Sequence, residues 1–209
     1  MIDIMEQNKE MTASESLALI TETMNNNSKE IIRRGGKYFI LWGILLTCFS
    51  LLVYALWKST GHAYWNNLWF AMPLVGYPLA RMIRSKEEPA MATNAVSRIV
   101  SGIWTSFGVF ACSVAAFSVL YSFLGNSPLG KIAVGAGLTA SIVLLFGLAE
   151  TISGVALKNW AIKIAGFVTG IGSLAIYYIT GANEEQMFIF TLAGIVLAAT
   201  GFIVKRQNK

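Results

Sequence analysis

The stretch that decides the fold is residues 38–57, YFILWGILLTCFSLLVYALW, in which no side chain carries a charge. About 20 apolar residues in a helix are enough to cross the hydrocarbon core of a bilayer. Residues 99–124 form a second stretch without charges. Of all 209 residues, 55% are hydrophobic and 13% are charged, whereas soluble domains have about 45–50% and about 25%. The sequence therefore predicts an integral membrane protein.

Apolar segments of similar length recur along the rest of the chain. They predict an all-α, polytopic membrane protein with six transmembrane helices joined by short connections. The chain is expected to divide into a cytoplasmic N-terminal segment (residues 1–36), a bundle (37–205) and a cytoplasmic tail (206–209). The predicted spans are residues 38–57, 64–82, 99–124, 132–153, 160–179 and 187–204.

The basic residues predict the orientation of this bundle. If the N-terminus is cytoplasmic, every Lys and Arg except Lys58 and Lys131 lies on the cytoplasmic side, as the positive-inside rule requires. Aromatic residues favour the membrane interface, and at the outer ends of the spans they are Trp57, Tyr64, Trp65, Tyr121, Tyr177 and Tyr178. Both patterns predict cytoplasmic termini. Residues 1–37 do not resemble a signal peptide, so the first span is expected to stay in the mature protein.

Several classes of function are not expected from this composition. The net charge of +5 comes from basic residues that flank apolar spans, so we expect no nucleic-acid partner. Cys48 and Cys112 lie in apolar spans without CxxC partners, and His62 is alone, so we expect no metal and no cofactor. No HExxH, Walker or Rossmann motif occurs, and we expect no catalytic residue and no enzyme.

Glu150 is the one acidic residue inside a predicted span. It lies about 28 Å along the helix from Lys131 at 1.5 Å per residue, near the inner interface. Burying an unpaired carboxylate in a membrane is costly, so such residues are often functional. Arg81 and Arg98, predicted at comparable depth, are candidate ion-pair partners. A structural ion pair or interfacial carboxylate, a proton- or ion-coupled role and a catalytic role remain open.

The second span contains residues that interrupt helices. Pro73, Gly76 and Pro78 fall within six residues, which predicts a kink between Pro73 and Pro78. Discontinuous membrane helices often line binding sites, and the signal is strongest when both halves of a chain carry matching breaks. The fifth span has no proline, so a cavity beside the kink is only a hypothesis.

Small residues predict where helices approach closely, because short side chains let backbones come together in lipid. Gly166-x-x-x-Gly170 lies in the fifth span and Gly194-x-x-x-Ala198 in the sixth. These faces either pack within one bundle or form the seam of a homodimer. The sequence leaves both arrangements open.

The N-terminal segment predicts a helix over about residues 13–34. Thr12-x-x-Glu15 fits a capping box, in which each side chain bonds the backbone N–H of the other residue. Gly35-Gly36 is expected to end the helix. The helix therefore begins and ends at residues with a recognisable capping chemistry.

One face of this N-terminal helix is apolar. Leu17, Ile20, Met24 and Ile31 recur at three- and four-residue spacing, with Asn27 at the missing position of the seam. The helix either lies against the membrane surface or the underside of the bundle, or it contacts a second copy or a cytoplasmic protein. Leu17, Ile20 and Met24 are the candidate contact residues.

Four short patterns carry a resemblance to known sequences: Glu15-Ser16-Leu17, Phe39-x-x-Trp42-Gly43, Trp65-Asn66-x-Leu68-Trp69-Phe70-x-x-Pro73-x-x-Gly76-x-Pro78 and Thr151-x-Ser153-Gly154. Together they resemble an uncharacterised family of small multi-pass bacterial inner-membrane proteins. The resemblance implies a six-span protein of the bacterial cytoplasmic membrane and brings no reaction, substrate or cofactor. Glu150 stands where that family is expected to have a small or hydroxyl residue.

These features predict a non-enzymatic regulatory or assembly protein of the cytoplasmic membrane, with the N-terminal helix as its contact surface. The alternative is a small-solute transporter or channel, as a monomer or a dimer, with the second span and Glu150 lining a path. Membrane lipids are the expected surroundings. A homodimer and a cytoplasmic protein partner are both compatible with the sequence.

Overall fold

The computed structural model describes residues 12–83, 95–124, 138–180 and 183–207. These residues are almost entirely helical and contain no strand, so the predicted all-α class is confirmed for them. The elements in chain order are α1 (Ala13–Thr60), the 3-10 helix η1 (Ala63–Phe70), α2 (Ala71–Ile83), α3 (Ala95–Leu124), α4 (Leu138–Ala156), α5 (Trp160–Thr180), the 3-10 helix η2 (Glu184–Gln186) and α6 (Met187–Gln207).

Three helical stretches in the described part of the chain are long and apolar enough to cross a membrane. They are Lys29–Thr60, Thr139–Ala156 and Glu184–Gln207, and Trp160–Leu174 is a shorter apolar helix. Large apolar side chains such as Ile195 and Ile171 are more than half exposed on the outside of these helices. A surface of this kind is expected of a protein that lies in lipid.

The helix α1 is one uninterrupted helix of 48 residues. The prediction that it ends at Gly35-Gly36 is wrong. A glycine inside a helix costs only about 0.5–1 kcal/mol, and Gly36 is buried against α6, where a side chain would be in the way. The helix ends instead at Gly61, whose φ of 71° is left-handed and whose N–H donates to the carbonyl of Trp57.

The predicted capping box is present at the start of α1. The hydroxyl oxygen of Thr12 accepts a hydrogen bond from the backbone N–H of Glu15 at 3.3 Å. The Glu15 carboxylate accepts one from the backbone N–H of Thr12 at 2.9 Å. The Thr12 backbone N–H, and after it the Thr12 hydroxyl, which also donates to the carboxylate at 2.9 Å, lower the pKa of Glu15. The first turn of α1 is therefore held in place without help from the bundle.

The helices α1 and α6 approach so closely that their backbones touch at glycines. A Cβ atom added to Gly43 would lie 2.5 Å from the backbone nitrogen of Ala198 and 2.6 Å from the carbonyl oxygen of Gly194. One added to Gly36 would lie 3.1 Å from the carbonyl oxygen of Gly201. Only glycine permits such an approach, so α1 and α6 form one tightly packed pair.

The helices α4 and α5 form a second pair of the same kind. A Cβ atom added to Gly147 would collide with the backbones of Gly166 and Gly170, and one added to Gly154 would collide with the backbone of Lys163. Gly166 and Gly170 on α5 and Gly194 on α6 therefore all pack inside one chain. Of the two arrangements that the sequence left open, the structure has the intramolecular one.

Two apolar clusters join the pairs at their opposite ends, and contacts between the pairs are sparser than those within them. The first cluster comprises Leu46, Val53, Val143, Met187, Ile189, Phe190 and Ala193. The second cluster comprises Ile31, Ile32, Val96, Leu157, Ile162 and Val204.

The second predicted span, residues 64–82, is not a single helix. It consists of η1 and α2, which meet between Phe70 and Ala71, so the break lies ahead of the predicted kink at Pro73–Pro78. Pro73 falls in the first turn of α2, where its missing N–H costs no hydrogen bond. With 13 residues, α2 is about 20 Å long at 1.5 Å per residue, which is shorter than a hydrocarbon core of about 30 Å.

The remaining predicted spans coincide with helices. Residues 38–57 lie within α1, and the spans 99–124, 160–179 and 187–204 match α3, α5 and α6 to within a few residues. Of the fourth predicted span, residues 132–137 lie outside the described part of the chain. The rest of that span belongs to α4.

Two substitutions in α1 test the contact between α1 and α6. Gly43→Ala places a methyl group against the backbone of α6, and overpacking of this kind costs typically 1–3 kcal/mol. We expect a lower midpoint of thermal unfolding, measured by circular dichroism in detergent micelles. Gly35→Ala is the matched control, because nothing lies within 4 Å of the added atom. It should leave the midpoint unchanged or raise it, and a Gly43→Ala midpoint equal to that of Gly35→Ala would contradict the contact.

Candidate functional site

Glu150 on α4 is sealed inside the helix bundle. Its side chain is 0% exposed, and neither carboxylate oxygen has a hydrogen-bond partner among the described residues. Val143, seven residues before it on the same face of α4, belongs to the first cluster, and Leu157, in the turn that follows α4, belongs to the second cluster. Along the chain, Glu150 is therefore buried between residues of the two clusters, and Gly147 and Gly154, one turn before and after it, pack on α5.

Aromatic rings lie one turn from Glu150. Phe146 of α4 has its ring centroid 5.5 Å from those of both Trp104 and Phe107 on α3. Trp104 in turn lies 6.4 Å from Phe39 on α1. These rings supply apolar surface and no charged partner, so the neighbouring turn of α4 also lacks a counter-charge for the carboxylate.

The predicted ion pair of Glu150 is not formed. Arg81 on α2 and Arg98 on α3 are both exposed, and neither donates to the carboxylate. Among the described residues, an ionised carboxylate at this position would have neither a counter-charge nor a hydrogen-bond donor, which costs several kcal/mol. The prediction failed because similar depth in the membrane does not make two side chains face each other.

The hydroxyl groups beside Glu150 in sequence are buried but do not form a catalytic arrangement with it. Thr151 faces Gly166 of α5, and Ser153 donates to the carbonyl of Ala149 at 2.7 Å. Within the described ranges, no group of three His, Cys, Asp or Glu side chains is arranged to hold a metal ion. The chemistry open to this position is the gain and loss of a proton by a single carboxyl group.

The position at which the sequence suggested a cavity is filled. Gly76 is buried on α2, and a Cβ atom there would collide with the indole ring of Trp42 on α1. The ring of Tyr77 meets Trp42 edge-on at a centroid distance of 5.7 Å. Gly76 thus admits the Trp42 side chain, while Pro73 and Pro78 lie on either side of it along α2. These residues dock α2 onto α1.

The other candidate site is the N-terminal part of α1, residues 13–30, which we call the arm. Its described side chains are exposed except for the half-buried Ser16 and Glu30, and the first buried residue after it is Ile31. At 1.5 Å per residue the arm is about 27 Å long. It is therefore a helix that leaves the bundle without packing against it.

The apolar face of the arm is open to solvent. Leu17 is 65% exposed and Ile20 is 56% exposed, and the side chain of Met24, one turn further along, lies outside the described residues. Exposed side chains exclude packing on the underside of the bundle. Lying flat on the membrane would require a break between the arm and the span, and α1 has none there.

The base of the arm carries charges that pair within the helix. The Glu30 carboxylate contacts the Arg33 guanidinium at 2.8 Å and the Arg34 guanidinium at 2.5 Å. Two arginines are thus partly neutralised by one acid where α1 enters the bundle. Such pairs on a helix surface contribute only tenths of a kcal/mol, so they mark the boundary of the arm and do not explain its stability.

Comparisons with protein-family models, with curated proteins and with solved structures give no match to the chain. The resemblance to small multi-pass bacterial inner-membrane proteins therefore stays a prediction. What the chain itself offers is a fold with two unusual features, the sealed Glu150 carboxyl and the projecting arm.

Proposed function

We propose that the protein is a non-enzymatic, multi-pass protein of the bacterial cytoplasmic membrane that works as an assembly or regulatory element through its arm. The observation that carries this proposal is the continuity of α1. One helix contributes both to the packed core and to an exposed apolar surface outside it. No other described helix of this chain projects from the bundle in this way. The arm is therefore the helix that a soluble protein or a second membrane protein would bind.

The charges at the two ends of the bundle support the proposed topology of six spans with both termini in the cytoplasm. The second cluster, at the base of the arm, lies close in sequence to most of the basic residues of the described chain: Arg33, Arg34, Arg98, Lys158, Lys163, Lys205 and Arg206. The first cluster, at the other end, adjoins Glu184 and Glu185. This asymmetry follows the positive-inside rule and favours a cytoplasmic arm.

The close contact of α1 with α6 gives the arm a mechanical role. Gly36 and Gly43 hold α1 against α6, so a partner bound at Leu17 and Ile20 would act on the bundle through a continuous helix. No flexible linker lies between the two parts of α1. We propose that assembly on the arm is transmitted to the packing of the spans in this way.

Charged substitutions on the apolar face test the role of the arm. In Leu17→Glu/Ile20→Glu, we expect complexes larger than the monomer to be lost on native gels of membranes solubilised in mild detergent. The double substitution Glu22→Gln/Asn26→Asp, on another face of the arm, is the control and should leave the complexes intact. Complexes of unchanged size in Leu17→Glu/Ile20→Glu, or a wild-type protein that runs only as a monomer, would refute the proposal.

A second candidate function rests on Glu150. A carboxyl group that is 0% exposed and unpartnered among the described residues is a feature of proton-coupled pathways through membranes. We propose, as the alternative, a small-solute transporter or channel in which the two helix pairs move apart and water reaches Glu150. The sparse contacts between the pairs favour such a movement.

Proton flux into proteoliposomes tests this second candidate. The wild-type protein should acidify a trapped pH dye faster than empty liposomes do when a proton gradient is applied. Glu150→Gln keeps the size of the side chain but cannot exchange a proton, so the flux should fall to the level of empty liposomes. Glu150→Asp should retain it. A flux that is equal in Glu150→Gln and wild type would eliminate the role of Glu150.

A further inference from the structure

We infer that the partner of the arm is the arm of a second copy of this chain, paired in parallel. This inference rests on the proposed function and names the surface that carries it. Leu17 and Ile20 are the largest apolar groups on one face of a helix that nothing in the described chain covers. The pattern of residues around that face decides which kind of surface fits it.

The apolar face follows the seven-residue repeat of a coiled coil. Leu17, Ile20, Met24, Asn27 and Ile31 are separated by three, four, three and four residues, which places them along one stripe of α1. At its base the stripe is used by the chain itself, since Ile31 is buried in the second cluster. Above the base the stripe is open at Leu17 and Ile20, and its pattern suits a helix that lies alongside α1.

Beside the part of the stripe above Ile31, the flanking residues carry no charge that would oppose pairing with an identical helix, and the next flanking residue, Glu30, is paired with Arg33 and Arg34 of its own helix. Ser16 and Thr21 flank its upper part, and Thr23 and Ser28 flank its lower part. In a coiled coil these flanking positions decide which helices pair, because like charges there repel. A strongly acidic or basic partner would find no complementary charges at these positions. An identical neutral helix fits them.

Three of the four charged residues of the arm lie on the opposite side. Glu15, Glu22 and Lys29 are each seven residues apart, at the outermost position of the repeat, which faces solvent in a two-stranded coiled coil. Glu15 and Glu22 are exposed in the structure, as is Lys29. The arm therefore has an apolar seam, neutral flanks and a charged back, which together describe a surface that is complementary to itself.

The membrane fixes the orientation in which two arms meet. Copies inserted with the same topology carry their arms on the same side, and a twofold axis along the membrane normal brings the arms together in parallel. The seam above the buried Ile31 runs from Leu17 to Asn27, about one and a half heptads, which is short for a helix pair in solution. Confinement of both copies to one membrane raises their effective concentration and offsets this.

The three glycines that the sequence suggested as a dimer seam do not compete for this role. Gly166 and Gly170 are packed against Gly147, and Gly194 is packed against Thr47 and Gly43. A dimer seam on these residues would require the helix pairs to come apart. The arm is a surface that a second copy can use without rearranging the fold.

Oxidative crosslinking of the full chain in its membranes tests the inference. Cys48 and Cys112 are exposed free thiols and are first replaced by alanine. In this background, Ile20→Cys is oxidised with copper phenanthroline. Because seam residues face each other directly in a parallel pair, we expect a covalent dimer of twice the chain mass. Glu22→Cys, on the solvent side two residues away, is the matched control and should give at least about fivefold less dimer.

Two further variants keep the Ile20→Cys thiol and change the seam around it. Leu17→Glu added to Ile20→Cys should abolish the dimer, while Asn27→Leu should raise its yield by replacing the polar residue of the seam. The yield should not change between low and high NaCl, since the seam is apolar and salt screens only charged contacts. A strong fall in yield with salt would point to attraction through charged groups and would overturn the apolar seam.

The outcomes separate this inference from the proposed function. Equal dimer yields from Ile20→Cys and Glu22→Cys would show random collision and overturn the pairing. A crosslink from Ile20→Cys to a chain of different mass, without the dimer, would overturn the second copy as partner and leave the assembly role standing. If no crosslink forms and native gels show only the monomer, both proposals fail.

Discussion

The backbone contact between α1 and α6 is the constraint on which the rest of the structure depends. Inside a lipid bilayer, water does not drive helices together, so close packing of small residues carries much of the association. Gly36 and Gly43 on α1 meet Gly201 and Gly194 on α6 at distances that leave no room for a side chain. The same contact keeps α1 helical through Gly35-Gly36, because the continuous backbone is what packs on α6.

A second pair, α4 and α5, is also held together by backbone contacts at glycines. The two pairs meet through looser apolar contacts. Glu150 on α4 is buried without a hydrogen-bond partner in the described chain. An apolar residue of similar size would avoid the cost of burying its carboxyl group. The protein thus combines two closely packed helix pairs with one buried carboxyl group that has no partner in the described chain, and the second of the two proposed functions rests on this group.

Much of the fold was predictable from the sequence, because the length of an apolar run and the capping residues of a helix are both local signals. The apolar runs predicted the helices in lipid, and Thr12 and Glu15 predicted the start of α1. The end of the N-terminal helix was mispredicted because glycine ends helices that are exposed but is favoured where helices touch. The missed signal is the spacing: Gly36 and Gly43 are seven residues apart, as are Gly194 and Gly201, which puts each pair on one helical face.

The site was less predictable, because it depends on which faces of distant helices meet. Glu150 was recognisable from its position in an apolar run, but its isolation from Arg81 and Arg98 follows from helix rotation, which hydropathy does not specify. The role of Gly76 was equally hidden, since the proline residues beside it suggested a kink and a cavity. The indole ring that fills this space comes from Trp42, far away in the sequence.

The most direct test of the account is the distance between the arm and the far end of α1, measured by electron paramagnetic resonance. Spin labels at the exposed positions Asn25 and Ser59 are introduced in a background without Cys48 and Cys112. Labelled protein is diluted with unlabelled protein, so that only distances within one chain are seen. An unbroken helix predicts a narrow distribution centred at about 50 Å, from 1.5 Å per residue. A broad distribution, or one centred well below about 40 Å, would show a hinge at Gly35-Gly36 and contradict the continuous helix.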